Sequence, residues 1–174
     1  MIKYQIFSNS QNRLQKPCIA TIGKFDGVHA GHQKLLKLLK TNSENNNLIP
    51  TVITFDPHPR GYFDKNFQNL QTLNEKIQSI LELGIEQVVV LEFNEFLENL
   101  SANEFFEQII INELDTKLLI VGEDFTFGKD KNCNTLCLQK LCSENSVQLK
   151  VITKLKVNGK IISSSSIRDT KFKK

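Results

Sequence analysis

The chain has 174 residues, of which 40% are hydrophobic and 24% charged, and its formal net charge is +3. That length suits one domain with a substantial core, and the composition is ordinary for a soluble globular protein. No apolar run reaches the roughly 18 residues of a membrane span, and the polar start MIKYQIFSNSQNRLQK lacks a signal-peptide core, so a cytoplasmic location is expected.

The charge is uneven. Lys150, Lys154, Lys156, Lys160, Arg168, Lys171, Lys173 and Lys174 face one acid, Asp169, so the rest of the chain is slightly acidic. A basic tail serves nucleic acid, a polyphosphate or plain solvation equally well. No aromatic residues are interleaved for base stacking, so nucleic acid is not an expected partner, and without a long apolar run neither is a membrane. Cys18, Cys133, Cys137 and Cys142 match no common zinc spacing and are read as free and structural.

In chain order, Ile2 to Phe7 reads as a short strand and Ser8 to Lys16 as a loop. Cys18 to Ile22 is a buried strand. It runs into TIGKFDGVHAGH, residues 21–32, and then into a helix from about Gly31 to Thr41, with Leu35, Leu38 and Leu39 on one face. NSENNN, 42–47, signals a loop. Leu48 to Phe55 is a strand, and the Asp56-Pro57-His58-Pro59-Arg60 that follows is neither helix nor paired strand.

Asn74 to Leu83 has helical spacing and stops at Gly84. Glu86 to Leu91 is a strand, Ser101 and Glu104 fit a capping box, and Phe105, Ile109 and Leu114 carry the next helix. Lys117 to Val121 is a strand that ends at GEDFTFG, 122–128. A helix over about 134–144 and a strand over Val147–Ile152 follow. A serine of SSSSIR, 163–168, caps a last short helix.

Short apolar strands alternating with helices predict an α/β fold: a Rossmann-like parallel sheet of about five strands with helices on both faces. Ligands in such folds collect outside the carboxyl ends of the strands, where the four unusual loops should converge. Glycine lets backbone approach a ligand, and a helix entrance favours phosphate. His29 and His32, three apart, can face one site there. Arginine and serine are phosphate-handling types as well. Walker, G-x-G-x-x-G, G-x-S-x-G and H-E-x-x-H motifs are all missing from the sequence.

G-x-F-D-G-V-H-x-G-H at 23–32, T-F-D-P-H-P at 54–59, V-G-E-D-F-x-F-G at 121–128 and I-S-S-S-x-I-R at 162–168 resemble, in order, the motifs of the bacterial FAD synthetase module. That module is the FMN adenylyltransferase half of the bifunctional riboflavin kinase/FAD synthetase family. The resemblance covers nearly the whole chain. It implies an HxGH nucleotidyltransferase that moves AMP from ATP to FMN with Mg²⁺, giving FAD and pyrophosphate.

It also implies His29, His32 and Arg168 as catalytic groups, and Gly23, Phe25, Asp26, Gly31, Ser163, Ser164 and Ser165 around ATP. The flavin would lie against Phe55, Asp56, Pro57, His58 and Pro59 and against Asp124, Phe125, Phe127 and Gly128. Other roles stay open: Phe125 and Phe127 as core anchors, His58 as a cap on its turn, Asp26 as a buttress. No metal ligands are named.

The family usually has Arg at Thr126 and a basic Gly-Asp segment at 129–134, while Lys24 is unusual and Ser165 replaces Thr. These departures bear on affinity more than on reaction class. The family's kinase module would follow Arg168, so riboflavin kinase activity is not expected and a separate riboflavin kinase would supply FMN. Nothing in the sequence sets an oligomeric state. Two rival readings are another HxGH nucleotidyltransferase, such as a cytidylyltransferase, and a flavin- or nucleotide-binding protein without catalysis.

Overall fold

A computed structural model describes residues 2–8, 13–153, 156–157, 160–161 and 164–172. Strands β1 (Tyr4–Ser8), β2 (Cys18–Ile22), β3 (Ile49–Asp56), β4 (Gln87–Glu92), β5 (Thr116–Gly122) and β6 (Gln148–Ile152) form one sheet in the order β1-β4-β3-β2-β5-β6. Strands β2 to β6 pair in parallel and β1 runs antiparallel on β4. The α/β class stands, but the sheet gains this antiparallel edge. Two short strands, β7 (Lys156–Val157) and β8 (Lys160–Ile161), pair separately.

The inner strands alternate between two cores, as a period of two requires. Ile19, Val52, Val88, Val90, Leu118 and Ile120 pack with Leu35, Leu36 and Leu39 of α1 (Ala30–Asn46) and Ile77 and Ile80 of α3 (Leu73–Glu82). Ala20, Ile53, Val89, Leu91, Leu119 and Val121 pack on the other face. Their partners include α4 (Glu95–Asn99), α5 (Ala102–Phe105) with its π-helical continuation Phe106–Glu113, and α6 (Thr135–Glu144). The Ser101/Glu104 capping box is present, and a second one, Thr72/Glu75, starts α3.

Local differences have local causes. Helix α1 continues through the expected NSENNN loop because Asn42 Nδ2 donates to Leu38 O at 2.7 Å and Asn46 Nδ2 to Asn42 O at 2.7 Å, while Ser43 is buried. The DPHPR turn holds a short helix after all, α2 (Pro59–Phe63): proline is tolerated in a first turn, and His58 Nδ1 caps the Arg60 N–H at 3.0 Å. Cys133 and Cys137 are joined in a disulfide, their Cα atoms 5.3 Å apart, so only Cys18 and Cys142 remain as free buried thiols. Cys133 stands just ahead of the α6 cap Asn134 and Cys137 in the first turn, which brings them together. The last helix, α7 (Ser164–Phe172), follows β8.

Candidate active site

A cavity of about 1020 Å³ lies over the carboxyl ends of the central strands. Gly23, Phe25, His29, Gly31 and His32 from the turn after β2 line it. Phe55, His58 and Pro59 come from the end of β3, Asp124 to Gly128 from the loop after β5, and Ser164, Ser165 and Arg168 from α7. The expected convergence of the four loops is therefore observed. Asp26, Asp56 and Pro57 are not on the wall. Ser163 lies outside the described residues.

At the β2 turn the buried Phe25 takes a left-handed φ of 48° and its ring lies 4.9 Å from that of His32. A Cβ at residue 23 would meet Phe25 Cε2 at 2.9 Å, which explains the glycine. The rings of His29 and His32 stack with centroids 3.9 Å apart. His29 is the N-cap of α1, and its Nδ1 accepts the His32 N–H at 3.4 Å. A neutral His29 then carries its proton on Nε2. Amides of the first α1 turn have no intrahelical acceptor, so this entrance favours an anion.

Further aromatic rings line the cavity. His58 stacks on Phe67 at 4.4 Å, Phe55 and Phe63 each lie 6.1 Å from Phe93, and Phe125 stacks on Phe127 at 5.4 Å. Phe125 and Phe127 also pack against the core, so they both anchor the loop and face the cavity. Gly128, at φ +77°, presses on α5: an added Cβ would stand 2.7 Å from Ala102 N. Phe63, Phe67 and Phe93 are wall residues that sequence reasoning missed. The cluster Tyr62, Phe63 and Phe67 in an otherwise polar stretch was the available signal.

Asp26 works as a hub behind the wall. Its Oδ1 accepts the Leu70 N–H at 2.8 Å, its Oδ2 pairs with Arg168, and its carbonyl accepts from Ser164 Oγ at 2.6 Å. Arg168 also donates Nε–H to Gln68 O at 3.0 Å, and its guanidinium lies 4.4 Å over the Phe67 ring. Arg168 thus borders the cavity in a fixed pose, held by Asp26 and Phe67.

Burial lowers the pKa of His29. It takes His32 down to about 4, helped by His29 and opposed by the Gly27 carbonyl and Asp26. His58 also falls to about 4, first by burial and then through Lys24. Lys24 is lowered by burial, then by Lys131, Arg168 and Arg60, with Asp124 acting the other way. The cavity thus holds neutral imidazoles beside a group of cations, a setting that an anionic ligand would stabilise. Thr126 lies on the same wall as Lys24 and Lys131.

The FAD synthetase family model matches residues 11–166. The bifunctional riboflavin kinase/FMN adenylyltransferase of Buchnera aphidicola subsp. Schizaphis graminum is 38% identical over 151 residues, 85% of this chain and 48% of that protein. Its namesake in Escherichia coli K12 is 35% identical over 156 residues, 88% of this chain and 50% of that one. The chain spans about half the length of the curated relatives it matches. Among solved structures, a Streptococcus pneumoniae protein described as a macrolide-efflux protein aligns with TM-score 0.79 and 25% identity, over 90% of this chain and 52% of that one. Pantothenate synthetase from Thermus thermophilus aligns at TM-score 0.53 and 11% identity over 88% of this chain and 62% of its own, a likeness of fold alone. Among the described residues no helix is long and apolar enough to cross a membrane. With the family match running through the five parallel strands and the loops after β2, β3 and β5 that converge on the cavity, the chain belongs to the FAD synthetase family, a family of nucleotidyltransferase enzymes.

Proposed function

We propose that residues 1–174 work as one FMN adenylyltransferase domain in the cytoplasm, moving AMP from ATP to FMN and releasing FAD and pyrophosphate. A riboflavin kinase supplies the FMN, an activity named together with the adenylyltransferase in the relatives. The observation that carries this reading is the single cavity of about 1020 Å³ lined both by the histidines of the α1 entrance and by aromatic rings. Pockets that take one drug-sized ligand span roughly 300–1,000 Å³, so this cavity lies at the top of that range. The space therefore suits two nucleotides side by side.

An oxygen of the FMN phosphate attacks the α-phosphorus of ATP. The bond from that phosphorus to the bridging oxygen breaks, and its electrons leave with pyrophosphate. A phosphomonoester has a second pKa near ~6, so the nucleophile is already largely charged at neutral pH and needs no base. Catalysis is then alignment and charge stabilisation.

His29, through Nε2–H, His32 and the first amides of α1 hold ATP phosphate oxygens. Gly23, Phe25 and Gly31 shape that loop, and Asp26 holds it against α7. Ser163 and Ser165 add hydroxyl donors, Ser164 spends its own on the Asp26 carbonyl and so ties α7 to the ATP loop, and Arg168 adds a fixed positive charge. The flavin lies between Phe55, His58 and Pro59 on one side and Asp124, Phe125, Phe127 and Gly128 on the other, with Asp56 and Pro57 setting the turn. Lys24, Arg60 and Lys131 supply charge that the substrate phosphates neutralise.

Among the described residues no three His, Cys, Asp or Glu side chains cluster into a metal cage. Asp124 is a carboxylate on the wall. Such a donor set fits Mg²⁺ that arrives on ATP and keeps its waters, with Asp124 as the chain's own contribution. When bound, the ion neutralises charge on the phosphate oxygens.

Substrate profiling tests this reading. ATP with FMN should give FAD, and CTP in place of ATP should be slower by at least about tenfold. A preference for CTP, or for an acceptor other than FMN, would overturn it.

A further inference from the structure

Lys76 is a buried cation with no part in the adenylyl-transfer steps. It sits on α3 beside Ile77 and Ile80 and is 7% exposed. Its Nζ donates to Lys24 O at 3.3 Å, to Thr54 Oγ1 at 3.3 Å and to Phe55 O at 3.2 Å. An ammonium has three N–H donors, so none is left for a substrate. Thr54 Oγ1 donates in turn to Lys24 O at 3.1 Å, closing the network. Lys24 and Phe55 face the cavity, whereas Lys76 and Thr54 stand behind its wall.

The position is a fork. The β2–β3 ladder ends at Ile22 opposite Ile53, and the last backbone bond is Gly23 N–H to Ile53 O at 3.0 Å. Beyond it one chain enters the turn that carries His29 and His32 and the other enters the turn that carries His58. The Lys76 ammonium fills that fork and grips both chains. Burying a charge there is costly, and among the described residues no carboxylate lies within ion-pair distance of it. Burial lowers its pKa, opposed by Asp56 and Asp26. An apolar side chain would fill the same volume at less cost, which singles out the three hydrogen bonds as the reason for a lysine.

We propose that Lys76 is a positioning residue: by tying Lys24 O to Thr54 and Phe55 O it fixes the spacing between the two loops, and with it the alignment of the attacking phosphate on the α-phosphorus. The proposal rests on the adenylyl-transfer reading. Lys76 acts through Lys24 and Phe55 and touches no substrate.

The test uses Lys76→Met and Lys76→Arg in the 174-residue chain, with rates expressed per folded molecule. In Lys76→Met, kcat should fall by about 30-fold or more while FMN and ATP, each measured alone by equilibrium titration, bind within about threefold of the unaltered chain. Amide exchange should quicken at residues 23–27 and 54–58 and stay unchanged in β4 and β5. Lys76→Arg should recover part of kcat. If Lys76→Met does not fold, Lys76→Gln carries the same comparison. A kcat within about twofold of the unaltered chain, a defect confined to KM, or unchanged exchange in the two loops would overturn the proposal. An unaltered chain that makes no FAD would sink the adenylyl-transfer reading instead, and the exchange measurement would then decide Lys76 by itself.

Discussion

His32 and His58 give the folded chain a pH-dependent stability. Burial pushes each down to about 4, while an imidazole in the unfolded chain titrates near ~6.5. Between those values the unfolded chain binds protons that the folded one does not. Their contribution to stability is therefore complete above the unfolded value and is lost as pH falls toward the folded one. Thermal unfolding should show a Tm that declines from about pH 6.5 to about pH 4, and the variant His32→Gln/His58→Gln should decline less over that window. A double variant that tracks the unaltered chain would refute this. For turnover, His32→Ala should slow FAD formation by more than about tenfold at saturating ATP, since it removes a ring that stacks on His29 and packs against Phe25. His29 and His32 were legible from their place at a helix entrance. That they sit neutral and stacked was not, because this depends on the Phe25 ring folding over Gly23.

Two contacts between elements decide whether the cavity keeps its shape. Helix α7 is held by Arg168 on Asp26, by Ser164 on the Asp26 carbonyl and by Arg168 stacking on Phe67. The Arg168 and Asp26 side chains are 15% and 4% exposed, and breaking such a buried pair costs on the order of 3 kcal/mol. Asp26→Ala should therefore release α7. Amide exchange across 164–172 should rise and the KM for ATP should increase, while protected exchange there would contradict the latch. On the other side, Gly128→Ala combines a positive φ with a Cβ driven into the Ala102 backbone. It should lift the 124–131 loop from α5, lower Tm by several degrees and weaken FMN binding more than ATP binding. Strand-to-loop-to-helix junctions were readable because buried parallel strands are short apolar runs with unusual residues after them. The partners of Asp26 were not: Arg168 lies 142 residues away and no local pattern announces it. Short elements failed for a related reason, since α2 depends on His58 turning back to cap it and the far end of α1 on Asn side chains bonding backward along the helix.

Across the whole molecule, the alternation of strand and helix was enough to place four loops over one edge of a sheet, and the cavity is there. Sheet order was not legible. The antiparallel β1 pairs with β4, far along the chain, and only a folded sheet shows that this edge exists. The aromatic wall is assembled the same way, from Phe55, Phe63, Phe67, Phe93 and the 125–127 loop, contributed by four separate segments. The assembled cavity is one space of about 1020 Å³, and the proposed adenylyl transfer requires both substrates to react within it. The most direct measurement incubates the purified 174-residue chain with FMN, ATP and Mg²⁺ and follows flavin and phosphate products together. FAD and pyrophosphate should appear in equal amounts, matched by the FMN consumed. FMN and ATP recovered intact after long incubation, or ATP cleaved without FAD, would contradict the proposed transfer.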